Sequence, residues 1–160
     1  MALYLACTDH KGRGIFTDEF VAAGTVLEQF GGDLYTRAEL PWDISICLQV
    51  DVDLFLGPKS TKFSDYTNHS CEPNCGVRLI SPTEVYLIAI QDIPAGDELT
   101  IDYSTNMTEP LDQNRWTMEC SCGTATCRGV VDQFCTLDPI LQQHYIGLGV
   151  VPPFAQETIK

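Results

Sequence analysis

Short apolar runs broken by turn residues dominate the chain. Most of these runs are rich in β-branched or aromatic residues and end at Gly, Pro, Asn or Asp, the pattern of short strands joined by turns. The predicted strands are residues 3–6, 15–16, a segment ending at Phe30, residues 44–50, residues 52–56, and a hairpin of residues 77–80 and 85–90. The pattern therefore predicts a mainly β domain.

Helical signals are few. Thr36 is followed by Glu39, the spacing of a capping box, which predicts one helical turn. The strongest signal lies near the end of the chain, where Asp138 precedes Pro139 and Gly147 follows the apolar positions. An aspartate cap, a proline at the first helical position and a glycine at the stop predict a helix over residues 138–147.

Two segments carry little periodicity. Residues 104–113 are polar and rich in turn residues, which predicts a mobile connection. Pro152 and Pro153 follow the predicted helix, and this pair predicts an extended C-terminal tail.

The length of 160 residues suits one domain, and 44% apolar with 19% charged residues is typical of a folded globular protein. No apolar run approaches the roughly 18 residues of a membrane span. No basic segment precedes the first apolar run, so we expect no signal peptide. The expected location is intracellular, either nuclear or cytoplasmic.

The formal net charge is −13. Binding to nucleic acid needs a basic face, so the charge argues against nucleic acid as a direct ligand and favours a basic peptide or protein. The stretch between Arg78 and Arg115 contains no Lys or Arg. Its acidic residues are Glu84, Asp92, Asp97, Glu98, Asp102, Glu109 and Asp112. The alternative is a generally acidic, solvated surface that keeps the protein soluble.

Eight cysteines without a secretory signal indicate metal binding or free thiols rather than disulfides. Cys120, Cys122 and Cys127 are close enough in sequence to bind zinc, which takes four ligands in a structural site. Cys71 or Cys75 can supply the fourth, and spacing alone also allows Cys71, Cys75, Cys122 and Cys127 as two pairs. Unrelated buried cysteines are the remaining alternative.

The stretch from Asn68 to Cys75 holds two Asn, one His and two Cys, and it buries too little apolar area to be explained by packing. Upstream, Lys11-Gly12-Arg13-Gly14 predicts a turn where the backbone approaches another group closely. Taken alone, this turn is more typical of a simple hairpin.

Together these motifs resemble a known family. The segments that carry the resemblance are residues 11–16, Asn68-His69-Ser70-Cys71-Glu72-Pro73-Asn74, residues 96–103, and Cys120-x-Cys122-x4-Cys127-Arg128-Gly129. In this order they are similar to the SET-domain protein lysine methyltransferases that carry a post-SET zinc segment.

The resemblance implies a β-clip-like fold of small sheets, with a pseudoknot in which the segment ending at Tyr103 threads beneath residues 68–75. Such threading is a rare exception among protein folds. It further implies a SET domain over residues 1–108, a post-SET zinc-binding segment over residues 115–131, and a C-terminal helix and tail over residues 132–160.

The resemblance also implies a cofactor and roles for particular residues. S-Adenosylmethionine would be the methyl donor, and Tyr103 corresponds to the catalytic tyrosine. Cofactor contacts are implied for Lys11, Gly12, Arg13, Asn68, His69 and Val130. The ligands of one structural zinc ion would be Cys71, Cys120, Cys122 and Cys127, with Cys75 as a buried thiol. The substrate would be a lysine of a basic protein or peptide, such as a histone tail.

The chain departs from the family pattern at three places. One is Asp65-Tyr66-Thr67, where members often carry Arg-Phe-Ile before Asn-His. Ile101 stands where many members have Phe or Tyr, a position that influences the number of methyl groups added. Residues 45–48 lack the family's second active-site tyrosine, for which Tyr35 or Tyr66 could substitute in space. The alternative function is a catalytically inactive module that binds a basic peptide as an interaction scaffold.

Overall fold

The structure is a computed structural model that describes residues 2–9, 11–59, 62–109 and 115–159. Short strands make up most of its regular structure, as the sequence pattern predicts. The strands are β1 (Leu3–Cys7), β2 (Arg13–Thr17), β3 (Val26–Gln29), β4 (Leu34–Thr36), β5 (Leu48–Asp51), β6 (Leu54–Leu56), β7 (Asn68–His69), β8 (Cys75–Ser81), β9 (Glu84–Ala89), β10 (Glu98–Ile101), β11 (Met118–Glu119) and β12 (Val130–Val131).

The helices are short. The α-helices are α1 (Pro139–Gly147) and α2 (Pro153–Gln156). Single 3-10 turns cover Arg37–Glu39, Ile44–Ile46, Phe63–Tyr66, Tyr103–Asn106, Phe134–Thr136 and Glu157–Ile159. None of the helices in the described ranges has the length and hydropathy that a bilayer crossing requires.

The strands form four small sheets in the described part of the chain. Their strand orders are β1-β2-β10-β7, β3-β9-β8, β4-β6-β5 and β11-β12. The first sheet brings together distant parts of the sequence, because β10 lies between β2 and β7. It runs antiparallel to β2 and parallel to β7, with Thr100 opposite Asn68 and Ile101 opposite His69. The prediction of a mainly β fold of small sheets is confirmed.

Asn74 fixes β10 in this central place. Its side-chain amide donates to the carbonyl of Glu98 at 2.8 Å, and its oxygen accepts the Thr100 amide N–H at 2.9 Å. One asparagine side chain thus replaces two backbone partners along the strand. The polar stretch of residues 68–75 is therefore tied directly to the segment that leads to Tyr103.

Local turn signals predicted two elements well. Strands β8 and β9 pair as an antiparallel hairpin, with Val77 opposite Leu87. Helix α1 begins where the sequence predicts, and the Asp138 carboxylate caps it by accepting the Ile140 N–H. The Thr36–Glu39 turn is also present, with the Glu39 carboxylate accepting from the Thr36 amide and hydroxyl.

Three local predictions are wrong. Ile44–Ile46 forms a 3-10 turn rather than a strand, because Asp43 caps it by accepting the Ser45 N–H. The tail is helical rather than extended: Pro153 occupies the first turn of α2, where its missing N–H has no partner to lose. Residues 104–106 are buried in a 3-10 turn rather than mobile. Residues 110–113 of that predicted connection lie outside the described residues.

Two apolar clusters hold the chain together. The larger one lies between the β-sheets and includes Ile15, Val77, Leu87 and Leu99, all fully or almost fully buried. The second is built by the C-terminal segment on the outer side of the β8–β9 hairpin. Its buried members are Ile88, Phe134, Leu137, Tyr145, Val150, Val151, Phe154 and Ala155. The C-terminal segment is thus packed against the body of the protein.

Gly76 explains how closely this segment approaches. A Cβ atom at Gly76 would lie 2.5 Å from Cγ1 of Val150, well inside van der Waals contact. Only glycine therefore lets strand β8 and the C-terminal segment meet at this distance.

Candidate functional site

Four cysteine sulfurs converge at one end of the molecule. The Sγ atoms of Cys71, Cys120, Cys122 and Cys127 all lie within 4.8 Å of one another. Cys71 follows β7, and the other three lie on the loop between β11 and β12. Cys75, the competing ligand by spacing, is 1% exposed and packs in the larger apolar cluster.

The donor set suits zinc. Four soft sulfur ligands are the set found in structural zinc sites. Burial raises the pKa of the Cys71 thiol to about 12, even though the Arg128 N–H donates to its sulfur at 3.4 Å. A divalent cation would let all four sulfurs become thiolates, because metal binding displaces their protons. The cluster can therefore hold one zinc ion and join the β11–β12 segment to β7.

Tyr103 lies directly after β10 and begins a 3-10 turn. Its backbone N–H donates to Nδ1 of His69 at 3.2 Å, and its hydroxyl donates to the carbonyl of Thr67 at 2.8 Å. Burial, with a smaller contribution from Glu98, raises the pKa of Tyr103 to about 12. The phenol therefore stays protonated at neutral pH, and its oxygen lone pairs remain available as acceptors.

His69 is a neutral structural residue in this arrangement. Its Nδ1 accepts the Tyr103 N–H, so the proton belongs on Nε2, which lies 3.4 Å from Sγ of Cys71 and can donate to it. Burial lowers the pKa of His69 to about 4. The carboxylate of Asp102, 3.7 Å from Nδ1, is thus not in a salt bridge with it. His69 connects the cysteine cluster to the Tyr103 backbone.

Two cavities meet at Tyr103. The aliphatic cavity, about 110 Å³, is lined on one side of Tyr103 by Leu48, Ile101 and Met107 among others. The cysteine-side cavity, about 230 Å³, is lined by Lys11, Asn68, His69 and the residues 118–122. Among the described residues that line either cavity, Tyr103 alone belongs to both.

The aliphatic cavity contains a few polar groups in an apolar wall. Asn106 and Ser64 line it and are almost fully buried, yet the Nδ2 atom of Asn106 and the Oγ atom of Ser64 have no hydrogen-bond partner. Buried polar atoms in proteins are nearly always paired, so these two are ready to bind a ligand or water. Of the described lining residues, Tyr103 is the sole tyrosine; Tyr35 and Tyr66 lie elsewhere.

The cysteine-side cavity is flanked by the Lys11–Arg13 turn. Lys11 Nζ lies 3.1 Å from the Glu98 carboxylate, and the Asn68 amide donates to both Glu98 and the Arg13 carbonyl. Lys11, Asn68 and His69 therefore share one cavity wall. Gly12 (φ 77°) and Arg13 shape the turn behind this wall.

Val130 lies apart from the cavity lining. It is half-exposed on β12, where it pairs with Glu119 of β11. Glu119 does line the cavity. Val130 is therefore one strand away from the cavity lining.

Sequence reasoning missed a buried ionic group next to Tyr103. The Asp102 side chain is 0% exposed and accepts from Arg128 Nη2 at 2.7 Å, from the Ser104 N–H at 3.1 Å and from the Tyr145 hydroxyl at 3.1 Å. Burial first, and the Asp102 charge second, raise the pKa of Tyr145, so its hydroxyl remains the donor. A buried carboxylate needs such partners, but their sequence separations of 26 and 43 residues leave no local signal.

Fold and site together define a protein of small β-sheets, with β10 between β2 and β7, a tyrosine that lines two cavities and four cysteines that can hold a metal ion. A model of the SET domain family matches residues 12–104. The chain belongs to the SET domain family.

Two curated relatives place the similarity more closely. The chain is 31% identical over 137 residues to the histone-lysine N-methyltransferase ash1 of Drosophila melanogaster, a match that covers 78% of this chain and 6% of that protein. It is also 31% identical over 159 residues to the H3 lysine-9 specific histone-lysine N-methyltransferase of Schizosaccharomyces pombe. That match covers 76% of this chain and 31% of the relative. The chain thus spans a minor part of each relative.

A solved structure has the same fold. KRYPTONITE, crystallised in complex with mCHH DNA, an H3(1-15) peptide and SAH, superposes with a TM-score of 0.66 at 26% identity. The superposition covers 81% of this chain and 29% of the KRYPTONITE chain.

Proposed function

We propose that the chain is a protein-lysine N-methyltransferase that uses S-adenosylmethionine and acts on a basic protein or peptide, such as a histone tail. The observation that carries the proposal is the position of Tyr103 between two cavities. One cavity would hold the methyl donor and the other the lysine side chain. The relatives' names and the SAH and H3 peptide in the KRYPTONITE complex support the same assignment.

Each cavity suits its proposed occupant. The cysteine-side cavity carries polar groups from Lys11, Asn68 and His69 and would take the cofactor, with Gly12, Arg13 and Val130 contributing from its rim. The aliphatic cavity has Leu48, Ile101 and Met107 in its lining, and these side chains suit the hydrocarbon part of a lysine side chain. The cluster of Cys71, Cys120, Cys122 and Cys127 would hold one structural zinc ion.

The protein's task is to present a neutral amine. Lysine has a pKa of about 10.4 in water, and an apolar environment lowers it by disfavouring the ammonium form. When bound, the cofactor supplies a methyl group already activated on a positive sulfonium. Tyr103 would orient the amine, because its hydroxyl proton is engaged by Thr67 and its oxygen is free to accept an amine N–H. Such alignment is a major source of rate acceleration.

The net charge favours a basic partner over nucleic acid. At −13, the chain would attract a peptide rich in Lys and Arg. Of the acidic residues between Arg78 and Arg115, Asp102 is buried against Arg128 and Glu98 pairs with Lys11. The attraction is therefore one of net charge. A histone substrate would place the protein in the nucleus.

The direct test is methyl transfer from labelled S-adenosylmethionine to core histones and to arrays of basic peptides. Tyr103→Phe removes one hydroxyl and leaves both cavities in shape. We expect it to lower kcat by about 100-fold, because it removes the group that orients the amine. Tyr4→Phe, on the exposed face of β1, is the matched control and should match the parent.

Two outcomes would contradict the proposed enzymatic activity. If the parent and Tyr103→Phe are equally inert on every substrate, but the parent binds basic peptides by calorimetry, the chain is a binding module. If the parent shows no thermal shift with S-adenosylhomocysteine, the cofactor assignment fails as well.

A further inference from the structure

Helix α1 reaches the residue before Tyr103 through the side chain of Tyr145. Tyr145 lies on α1, far along the chain from Tyr103, and its ring is 2% exposed. The ring packs in the apolar cluster of the C-terminal segment, and the hydroxyl donates to Oδ2 of Asp102 at 3.1 Å. An ordinary core tyrosine needs some partner for its hydroxyl. This partner is the residue immediately before Tyr103.

The two oxygens of Asp102 have separate partners. Oδ1 accepts from Arg128 and from the Ser104 N–H, while Oδ2 accepts from Tyr145. Arg128 immediately follows Cys127 of the cysteine cluster, and its guanidinium also donates to the Ser104 hydroxyl at 3.2 Å. The carboxylate is thus held from the metal-binding loop on one oxygen and from α1 on the other.

Asp102 in turn sets the start of the 3-10 turn that carries Tyr103. It is the N-cap of Tyr103–Asn106, and its side chain accepts the N–H of Ser104. A carboxylate free to rotate would lose this cap and let the first residue of the turn shift. Small displacements of a group that aligns reactants are costly in rate.

We propose that Tyr145 is a positioning residue for Tyr103, acting through the Asp102 carboxylate. Helix α1 then contributes to catalysis, although none of its residues is among the described residues that line either cavity. The inference rests on the proposed methyltransferase activity. It differs from simple packing, because packing depends on the ring of Tyr145, whereas positioning depends on its hydroxyl.

Tyr145→Phe separates these roles, since it keeps the ring and removes the hydroxyl. We expect kcat to fall by about tenfold, the size of one hydrogen bond to a charged group, with KM for the peptide within about twofold. Tyr86→Phe is the matched control: Tyr86 packs against the same apolar cluster but not against Asp102. It should keep the parent kcat.

A double-mutant cycle tests whether Tyr145 acts on Tyr103 through Asp102. In an Asp102→Asn background the acceptor charge is gone, so Tyr145→Phe should lower kcat by less than about twofold. Fully additive losses would overturn the role of Asp102. An unchanged kcat for Tyr145→Phe in an active parent would overturn the proposal itself.

Amide hydrogen exchange decides the question without activity. Tyr145→Phe should speed exchange of the amides of residues 103–106, and Tyr86→Phe should not. If exchange in that turn is unchanged, Tyr145 does not position Tyr103. If the parent transfers no methyl group to any substrate, the proposed function fails. The exchange measurement still tests whether the Tyr145 hydroxyl stabilises the turn of residues 103–106.

Discussion

Asp65 is the acidic side chain among the described residues that line the aliphatic cavity, and burial disfavours its ionised form. Burial raises its pKa from 3.8 to about 6, and Glu28 adds to the rise. The Lys59 N–H, which donates to the carboxylate at 2.6 Å, opposes it. Ionised Asp65 would stabilise a cation in the cavity, an effect that opposes the lowering of the lysine pKa by the apolar side chains there.

This shift sets a pH dependence of stability. A carboxyl with a raised pKa binds its proton more tightly in the folded state, so folding stability falls as pH rises from about 4 to about 6. Asp65→Asn removes the ionisation and keeps an acceptor for Lys59. We expect it to stabilise the protein at pH 7 but hardly at pH 3.5.

Urea unfolding at both pH values measures the effect. Asp43→Asn is the control of opposite sign, because a side-chain bond from Ser45 lowers the pKa of Asp43. It should not stabilise the protein at pH 7. If Asp65→Asn raises the free energy of unfolding by the same amount at both pH values, the raised pKa of Asp65 is contradicted.

At the scale of elements, the central strand β10 and the β11–β12 loop are each attached through a single side chain of residues 68–75. Asn74 supplies two hydrogen bonds to β10, and Cys71 is the one cysteine of the metal cluster that comes from the strand region around β7. Both lie in the polar stretch of residues 68–75. Its polarity is explained by these attachments rather than by exposure.

Asn74→Ala should be costly. It leaves the Glu98 carbonyl and the Thr100 N–H without their partner, so we expect about 2–4 kcal/mol of lost stability. Asn74→Asp keeps the acceptor for Thr100 and should lose less. Equal losses in denaturant unfolding would show that the two hydrogen bonds do not carry the effect.

Zinc content distinguishes Cys71 from Cys75. Cys71→Ser should reduce bound zinc from one equivalent to below about half, because a three-thiolate site binds more weakly. Cys75→Ala should retain one equivalent, although the buried position makes it less stable. Zinc loss in Cys75→Ala with retention in Cys71→Ser would reverse the assignment.

The elements that sequence alone predicted are those with local signals. The β8–β9 hairpin and α1 are specified by turn and cap residues within a few positions of each element. The helical tail and the 3-10 turn after Asp102 were missed, because tertiary burial of Phe154 and Ser104 decides them. Asp102 stood out only as one of the acidic residues between Arg78 and Arg115. Its buried role was missed, since its partners Arg128 and Tyr145 are distant in sequence.

At the scale of the whole molecule, charge is the dominant feature. The net charge of −13 creates a long-range field that salt screens over about 10 Å at 0.1 M. If the substrate is a basic peptide, its encounter with the protein is driven partly by this field. The contacts inside the cavities are short-range and far less sensitive to salt.

Raising salt from about 50 to 200 mM should therefore increase KM for a basic peptide severalfold and leave kcat nearly unchanged. A peptide with the same target lysine but with glutamine at every flanking Lys or Arg is the control. Its KM should hardly respond to salt. Equal salt dependence for both peptides would exclude electrostatic attraction as a source of substrate affinity.

The position of β10 between β2 and β7 has a consequence for synthesis on the ribosome. Strands β1 and β2 are neighbours in sequence and can pair early, but the other edge of β2 has no partner until β10 has been translated. Cys71 likewise waits for Cys127. A nascent chain halted before Ile101 thus offers unpaired edges to chaperones, and folding to the native state is completed only late in translation.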